Sequence, residues 1–456
     1  MIIISSILEN IAMTNQASDT WDKIRQQFDS SPYPRIALDN SPKNNANLLF
    51  IHNLVSAYYL RTQKVIDTKD KLILDAGCGT GYKSLVLAEA NPGAKIVGVD
   101  ISTESVALAR KRLEYHGFDN AEFHVLSIEE LPNLGQQFDY INCDEVLYIL
   151  PDPIGALQAM KGVLKPDGII RSNLHSYINR FKVFCAQKAF KMMGLMDGNP
   201  EEFEIDIVVE TIKSLKDNIT VKSTTWQQSY DGENRKELVL MNYLFQEDKG
   251  YSIPDLFAFV KAADLEFISM VNWRMWDLRI LFKEPDNLPA FLGMSLPEIS
   301  TEERLQLFEL FHPVHRLLDF WCGHPERPQS FLPYSEWTDS DWQGAKVHIH
   351  PQLKTDKFKT DLINCIKESK VFPISQYLSQ LDQLLVIDSS IAICLLSLLE
   401  QPQEINSVVE RWKQFRPIDL MTLQPIEPLE AFNTVKKILL DLESLDYVMI
   451  ELSLGS

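Results

Sequence analysis

An apolar run closed by an acid and three spaced glycines, Leu72-Ile-Leu-Asp-Ala-Gly-Cys-Gly-Thr-Gly81, is the part of this chain best equipped for chemistry. A helix that starts directly after a glycine-rich turn presents unpaired backbone N–H groups, and the glycines let a ligand approach the main chain. The spacing is Gly77-x-Gly79-x-Gly81 around Cys78, with Asp75 ahead of it. A carboxylate in that place repels pyrophosphate, so a nucleoside bearing an ammonium or sulfonium group fits better than a dinucleotide. About nineteen residues beyond Gly81 comes Gly98-Val-Asp100-Ile101, and an acid at the end of a second strand is the usual partner of a ribose diol. Further on, Ser127 is a candidate for the edge of a base, Ile128 for its face, and Cys143 for the wall of the same site.

These residues need strand ends to hold them. Short β-branched or aromatic runs at Leu72–Leu74, Ile96–Val99, Phe123–Leu126, Phe138–Cys143 and Gly168–Asn173 alternate with helical stretches at Ser84–Ala90, Thr103–His116 and Pro153–Leu164. Strands alternating with helices imply right-handed βαβ units and a parallel sheet. The periodicity turns helical over Tyr177–Leu195 and Glu202–Lys216. Strand-like alternation returns in Ile219–Trp226, Leu238–Phe245 and Glu266–Trp273, any of which could complete the sheet. Beyond Pro285 the pattern is mostly helical, with Glu302–Leu318, Asp361–Ser369 and Ile374–Leu385 as helix candidates. The tail, Ile391–Leu399, Ile405–Phe415, Leu429–Leu442 and Tyr447–Leu452, has the helix, helix, helix, strand order of a winged-helix module.

At 456 residues the chain is too long for one ordinary core, and two or three packed units are expected. We divide it into an N-terminal strap (1–60), a cofactor-binding domain (61–285) with an insertion at about 177–250, and a helical C-terminal region (286–456). With 63 acidic and 44 basic residues, the net charge is −19, which opposes binding to a phosphate backbone. The six cysteines lack CxxC spacing and read as thiols of a reducing compartment. The start lacks the basic region of a signal peptide, with Met13 an alternative initiator, and the apolar run at Ile391–Leu399 is half of what a bilayer needs. The expectation is a cytoplasmic protein with no nucleic-acid or membrane partner.

LDAGCGTG, VGVDIS, LSIEELP, FDYINCDEVLYILPDP and VLKPDGII follow one another from Leu72 to Ile170. In content and order these motifs resemble the class I S-adenosylmethionine-dependent methyltransferases. The resemblance implies an α/β, Rossmann-like sheet, S-adenosylmethionine as cofactor, and Asp75, Gly77, Cys78, Gly79, Gly81, Asp100, Ile101, Ser127, Ile128 and Cys143 around it. Ser127 departs from the acid common in the family at that place. Methyl transfer needs chiefly orientation, exclusion of water and, for some acceptors, removal of a proton.

Acceptor groups in such folds lie at the ends of strands four and five, which selects Asp144, Glu145, Tyr148, His175 and Tyr177. Tyr148 stands where many family members carry a histidine, and Tyr148 and His175 are the candidates for base or acceptor ligand. No Asn-Pro-Pro-Tyr or Asp-Pro-Pro-Tyr follows strand four, which disfavours the nucleic-acid amino-methyltransferases. The acceptor is left open between a protein or peptide side chain and a small molecule; a cofactor-binding scaffold and a nucleotide-dependent oxidoreductase are the rival readings, and a homodimer is allowed for. In the strap, Tyr33, Arg35, His52, Tyr58, Tyr59 and Arg61 are able to close over a cofactor. His312, His315, Cys322, His324, His348 and His350 are spaced too irregularly for a helix-borne metal site. More loosely, FDSSPYPR, the stretch Met241–Trp273 and the tail are similar in order to the multidomain bacterial protein-lysine methyltransferases, and cyanobacterial methyltransferases look closer still.

Overall fold

The structure is a computed structural model that describes residues 25–29, 32–325, 332–378, 384–419 and 422–452. The readings of the chain's start, including Met13, fall outside the described residues. The five expected strands form as β1 (Leu72–Ala76), β2 (Lys95–Asp100), β3 (Glu122–Val125), β4 (Phe138–Cys143) and β5 (Leu164–His175). Two more, β6 (Glu266–Met270) and β7 (Leu317–Gly323), complete a seven-stranded sheet in the order β3-β2-β1-β4-β5-β7-β6. The first five strands run parallel, and β7 is antiparallel to both β5 and β6. Helices cover both faces, so strand residues alternate between two cores. Leu74, Val97, Ile141 and Ile170 face one, while Ile73, Ile96, Tyr140 and Ile169 face the other, giving the near-continuous apolar runs of a doubly covered sheet.

Three expectations change. Of the ambiguous segments only Glu266–Met270 is a strand; Thr220–Thr225 and Arg235–Asn242 are helices. Val239, Leu240, Tyr243 and Leu244 fall on one helical face, and they pack with Phe190, Ile205 and Val208 in a core belonging to the insertion. The helix expected over Glu302–Leu318 stops at Phe311, because Pro313 disfavours helical backbone at His312; the chain then re-enters the sheet as β7. The boundary expected at Pro285 therefore does not hold for the sheet, whose penultimate strand lies beyond it.

The C-terminal helices form at Asp356–Glu368, Ser389–Leu398, Ile405–Phe415 and Pro428–Glu443. They pack on a three-stranded antiparallel sheet of β8 (Lys346–Ile349), β9 (Gln403–Glu404) and β10 (Val448–Glu451), with β8 central. Ile374–Gln376 is a short 3-10 turn, and part of the helix expected there lies outside the described residues. This unit meets the first domain at helix Leu54–Thr62, where Ser56 Oγ donates to Asp446 Oδ2 at 2.6 Å and lies 3.0 Å from His350 Nε2.

Candidate functional site

Strand order reverses between β1 and β4, which opens a crevice at their carboxyl ends. A cavity of about 250 Å³ occupies it, and Gly77, Cys78, Gly79, Asp100, Ile101 and Ile128 line it. Gly79 has φ of 50°, a left-handed conformation that favours glycine, and a Cβ on it would strike the carbonyl oxygen of Tyr33. At Gly81, a Cβ would stand 2.6 Å from Ala109 Cα, so this glycine lets two helices pack closely rather than lining the cavity. Asp100 is set by the loop it serves: Gly79 N–H donates to Oδ2 and Ser102 N–H to Oδ1, each at 2.9 Å. Each oxygen keeps a lone pair for a ligand hydroxyl.

Asp75, Ser127 and Cys143 do not line this cavity. The buried Asp75 carboxylate accepts from Ser84 Oγ at 2.6 Å and Asn142 Nδ2 at 2.8 Å, so it ties β1 to β4 and to the helix after the loop. Burial pushes its pKa up to about 6. Ser127 caps the 3-10 turn Ile128–Leu134 by pairing with Glu130. Cys143 points into the core, and burial pushes its thiol up to about 12.

The strap crosses the cavity and is tied down through its backbone. Thr80 N–H donates to Tyr33 O at 3.0 Å, and Thr80 Oγ1 donates to Pro34 O at 2.7 Å. Arg112 donates to Ile36 O and Ala37 O at 2.7 and 2.8 Å. Tyr33 lines the cavity, and the buried His52 stands behind it, 3.5 Å from Asp144. Tyr58, Tyr59 and Arg61 instead bond Asp139 O, Glu443 and the Gly168 and His324 carbonyls, holding the strap helix to the sheet and to the C-terminal unit.

A second cavity, of about 330 Å³, adjoins the first and shares Phe28, Tyr33 and Glu145 with it. Tyr148 and His175 both line it, with their rings stacked at 3.6 Å. His175 Nδ1 lies 2.6 Å from Asp248 Oδ1, and Arg316 Nη1 lies 3.0 Å from Nε2. Burial, aided by Arg180 and Arg316, lowers His175 to about 4. The ring is therefore neutral, donating from Nδ1 and accepting at Nε2. Its lone pair belongs to Arg316, which removes it as the free base that its position suggested. Arg316 also donates to Glu145. Tyr148 is held protonated, chiefly by burial. Tyr177 lies outside both cavities.

Below the shared wall, Asp144 meets Lys83 Nζ at 2.6 Å and accepts from Asn173 Nδ2 at 2.6 Å. Burial opposes its charge, but Lys83 and Arg171 hold it well below the usual carboxylate range. Arg171 is itself paired with Asp319 of β7 at 2.6 Å. Lys83, Arg112, Asp248, Arg171 and Arg316 escaped sequence reading. Lys83, two residues past the glycine loop, and Arg171, directly after VLKPDGII, lay close enough to a motif to be found. The histidines of the irregular cluster are dispersed: His315 stacks on Trp276, His348 pairs with Glu451, and His350 sits against Ser56. Among the described residues no three His, Cys, Asp or Glu side chains converge on a metal-sized site.

Comparison with known proteins agrees with this geometry. Residues 67–239 match the methyltransferase-domain family model, and residues 4–127 match that of protein-L-isoaspartate(D-aspartate) O-methyltransferase. An uncharacterized protein of Synechococcus is 28% identical over 69% of this chain and 73% of its own length. The ubiquinone biosynthesis O-methyltransferase of Actinobacillus pleuropneumoniae is 37% identical over 26% of this chain, which spans half of that relative's length. The structure of PKMT2 from Rickettsia typhi covers 92% of this chain, and 77% of its own is covered, with a TM-score of 0.57; at 18% identity the likeness is one of fold. A second structure of it holds AdoHcy at a TM-score of 0.56. The glycine loop, Asp100 and the crevice all fall within residues 67–239, the stretch that matches the methyltransferase-domain family model, so this part of the chain is a methyltransferase domain.

Proposed function

We propose that the enzyme methylates an amine on a protein or peptide side chain, held in the second cavity. The supporting observation is the shared wall: Phe28, Tyr33 and Glu145 line both cavities, so a group in one faces a group in the other. When bound, the cofactor supplies an electrophilic methyl on a sulfonium. The chain's own residues supply orientation. Gly77, Gly79, Asp100, Ile101 and Ile128 fit the nucleoside, and the strap over the cavity excludes water.

The chamber's chemistry favours a cation that turns into a nucleophile by losing a proton. Aromatic rings of Tyr33, Tyr148, Tyr230 and Phe245 stand with the carboxylates of Glu145 and Glu237; Arg316 balances Glu145, which leaves the rings and Glu237 to attract an ammonium. A hydroxyl acceptor needs a base, yet the His175 lone pair is occupied and the Tyr33 phenol is held protonated by burial and by Glu145 and Glu237. An ammonium is a far stronger acid than an alcohol, so it can give its proton to water before docking or to the Glu237 carboxylate, and the neutral amine then brings its own lone pair. The identity to the ubiquinone enzyme covers 26% of this chain and half of that relative, too little to carry its acceptor across. The helix, strand, helix, helix, strand order of residues 389–451 supports reading the C-terminal unit as winged-helix-like.

The test is incubation of the full chain with methyl-labelled S-adenosylmethionine and a cell lysate, followed by separation of macromolecules from small molecules. Label in protein that survives alkali supports an N-methylated side chain. Label confined to extractable small molecules, or released from protein by alkali as an ester would be, overturns the reading.

A further inference from the structure

The cofactor carries an amino-acid head with one carboxylate and one ammonium, and burying both without partners is costly. The nucleoside end of the first cavity is fixed by Asp100, Ile101, Leu126 and Ile128. At the other end stand Lys83, Asp144 and Glu145, and Lys83 is the one cation among the described residues that line the cavity. The acid that the sequence offers for the ammonium, Asp75, is consumed by Ser84 and Asn142. Asp144, unlike Asp75, lines the cavity, where it is paired with Lys83. Its Oδ1 is anchored by Asn173, its Oδ2 touches Lys83 Nζ at 2.6 Å, and its side chain is only 3% exposed.

A second observation points to the same oxygen. The fully buried His52 directs Nδ1 at the Leu48 carbonyl at 2.8 Å, so the hydrogen sits on that nitrogen. Burial, with Arg171 next, keeps the ring neutral, its pKa near 3. Its Nε2 therefore turns a bare lone pair towards Asp144 Oδ2, 3.5 Å away, and makes no hydrogen bond. His52 Nε2 is thus an acceptor without a donor, set against a carboxylate oxygen whose donor is Lys83.

We infer that Lys83 and Asp144, backed by His52, form the site that reads the amino-acid head of S-adenosylmethionine: Lys83 takes the carboxylate, and Asp144 takes the ammonium. The ligand then completes an alternating arrangement of charges that Lys83 and Asp144 leave half built. This inference rests on the cofactor alone and is independent of the acceptor proposed above.

Calorimetry on the full chain tests it with three ligands: S-adenosylhomocysteine, its decarboxylated aminopropyl analogue, and 5′-methylthioadenosine, which lacks the head. Wild-type protein should bind S-adenosylhomocysteine about 100-fold or more tighter than methylthioadenosine, as two charge-assisted contacts require. Lys83→Met should weaken S-adenosylhomocysteine about 30-fold and leave methylthioadenosine within about threefold; Lys83→Arg should restore most of the loss. In wild-type protein, which needs no variant to fold, the decarboxylated analogue should lose as much as Lys83→Met does. Equal weakening of headed and headless ligands in Lys83→Met would mean a structural role and overturn the assignment. So would unchanged affinity in that variant, or a wild-type protein indifferent to the missing carboxylate.

Discussion

The backbone N–H of Thr80 donates to the carbonyl of Tyr33 at 3.0 Å, which places the strap directly on the loop that holds the cofactor. The same carbonyl occupies the space a side chain on Gly79 would need. Gly79→Ala should therefore lift the strap and strain the loop together. We expect about tenfold or greater loss of S-adenosylhomocysteine affinity by calorimetry, from a positive-φ cost of about 1 kcal/mol plus the displaced strap. Wild-type affinity in this variant would refute the close approach.

Asp100 makes a separable contribution. Asp100→Ala removes a carboxylate that both shapes the loop through Gly79 N–H and faces the cavity. Cofactor affinity should fall about 30-fold or more, the worth of a charge-assisted contact or two, while the chain still unfolds cooperatively. A change of less than about threefold would remove Asp100 from the site.

His175 gives a pH prediction. An ordinary histidine titrates near 6.5, but this one is lowered to about 4, so it is neutral at every pH at which the enzyme would be assayed. The ring signal of His175 in a nuclear magnetic resonance titration should stay flat from about pH 8 to about pH 5. Because the folded-state value is depressed for a base, the unfolded chain takes up the proton first, and this residue withdraws stability as pH falls below about 6.5 towards 4. An inflection near 6.5 would show that Arg316 does not hold the lone pair.

The seam to the C-terminal unit behaves in the opposite sense. Burial raises Asp446 to about 7, against the pull of Arg274 and the Ser56 hydrogen bond. A raised acid favours the folded state while protonated; its contribution is complete below about pH 4 and is lost as pH rises through about 7. Asp446→Asn keeps an acceptor for Ser56 and cannot ionise. Its melting temperature should fall less than that of the wild type between about pH 5 and pH 8. Parallel pH dependences would show that Asp446 is not the group responsible.

What could be read before the structure divides along physical lines. The glycine loop, Asp100 and Ile128 were legible because loop, strand end and ligand lie within one or two βαβ units, and local backbone rules place them. Asp75 was misplaced because its direction depends on Asn142, 67 residues away along the chain. Arg316 was invisible for the same reason, standing 141 residues from the His175 nitrogen it occupies. The seventh strand was missed because it begins at the end of the expected helix Glu302–Leu318 and runs on into a stretch to which no element is assigned.

That seventh strand sets an order of events. Until Leu317–Gly323 has been made, β5 has no neighbour on one side, because β6 pairs with β7 rather than with β5. A nascent chain that carries every cofactor motif, all of them complete by Ile170, must therefore wait for about a further 150 residues with an apolar edge unpaired. A fragment ended at Pro285 would keep that open edge permanently, lose Arg316 and Asp319, and be expected to aggregate rather than fold as a smaller methyltransferase.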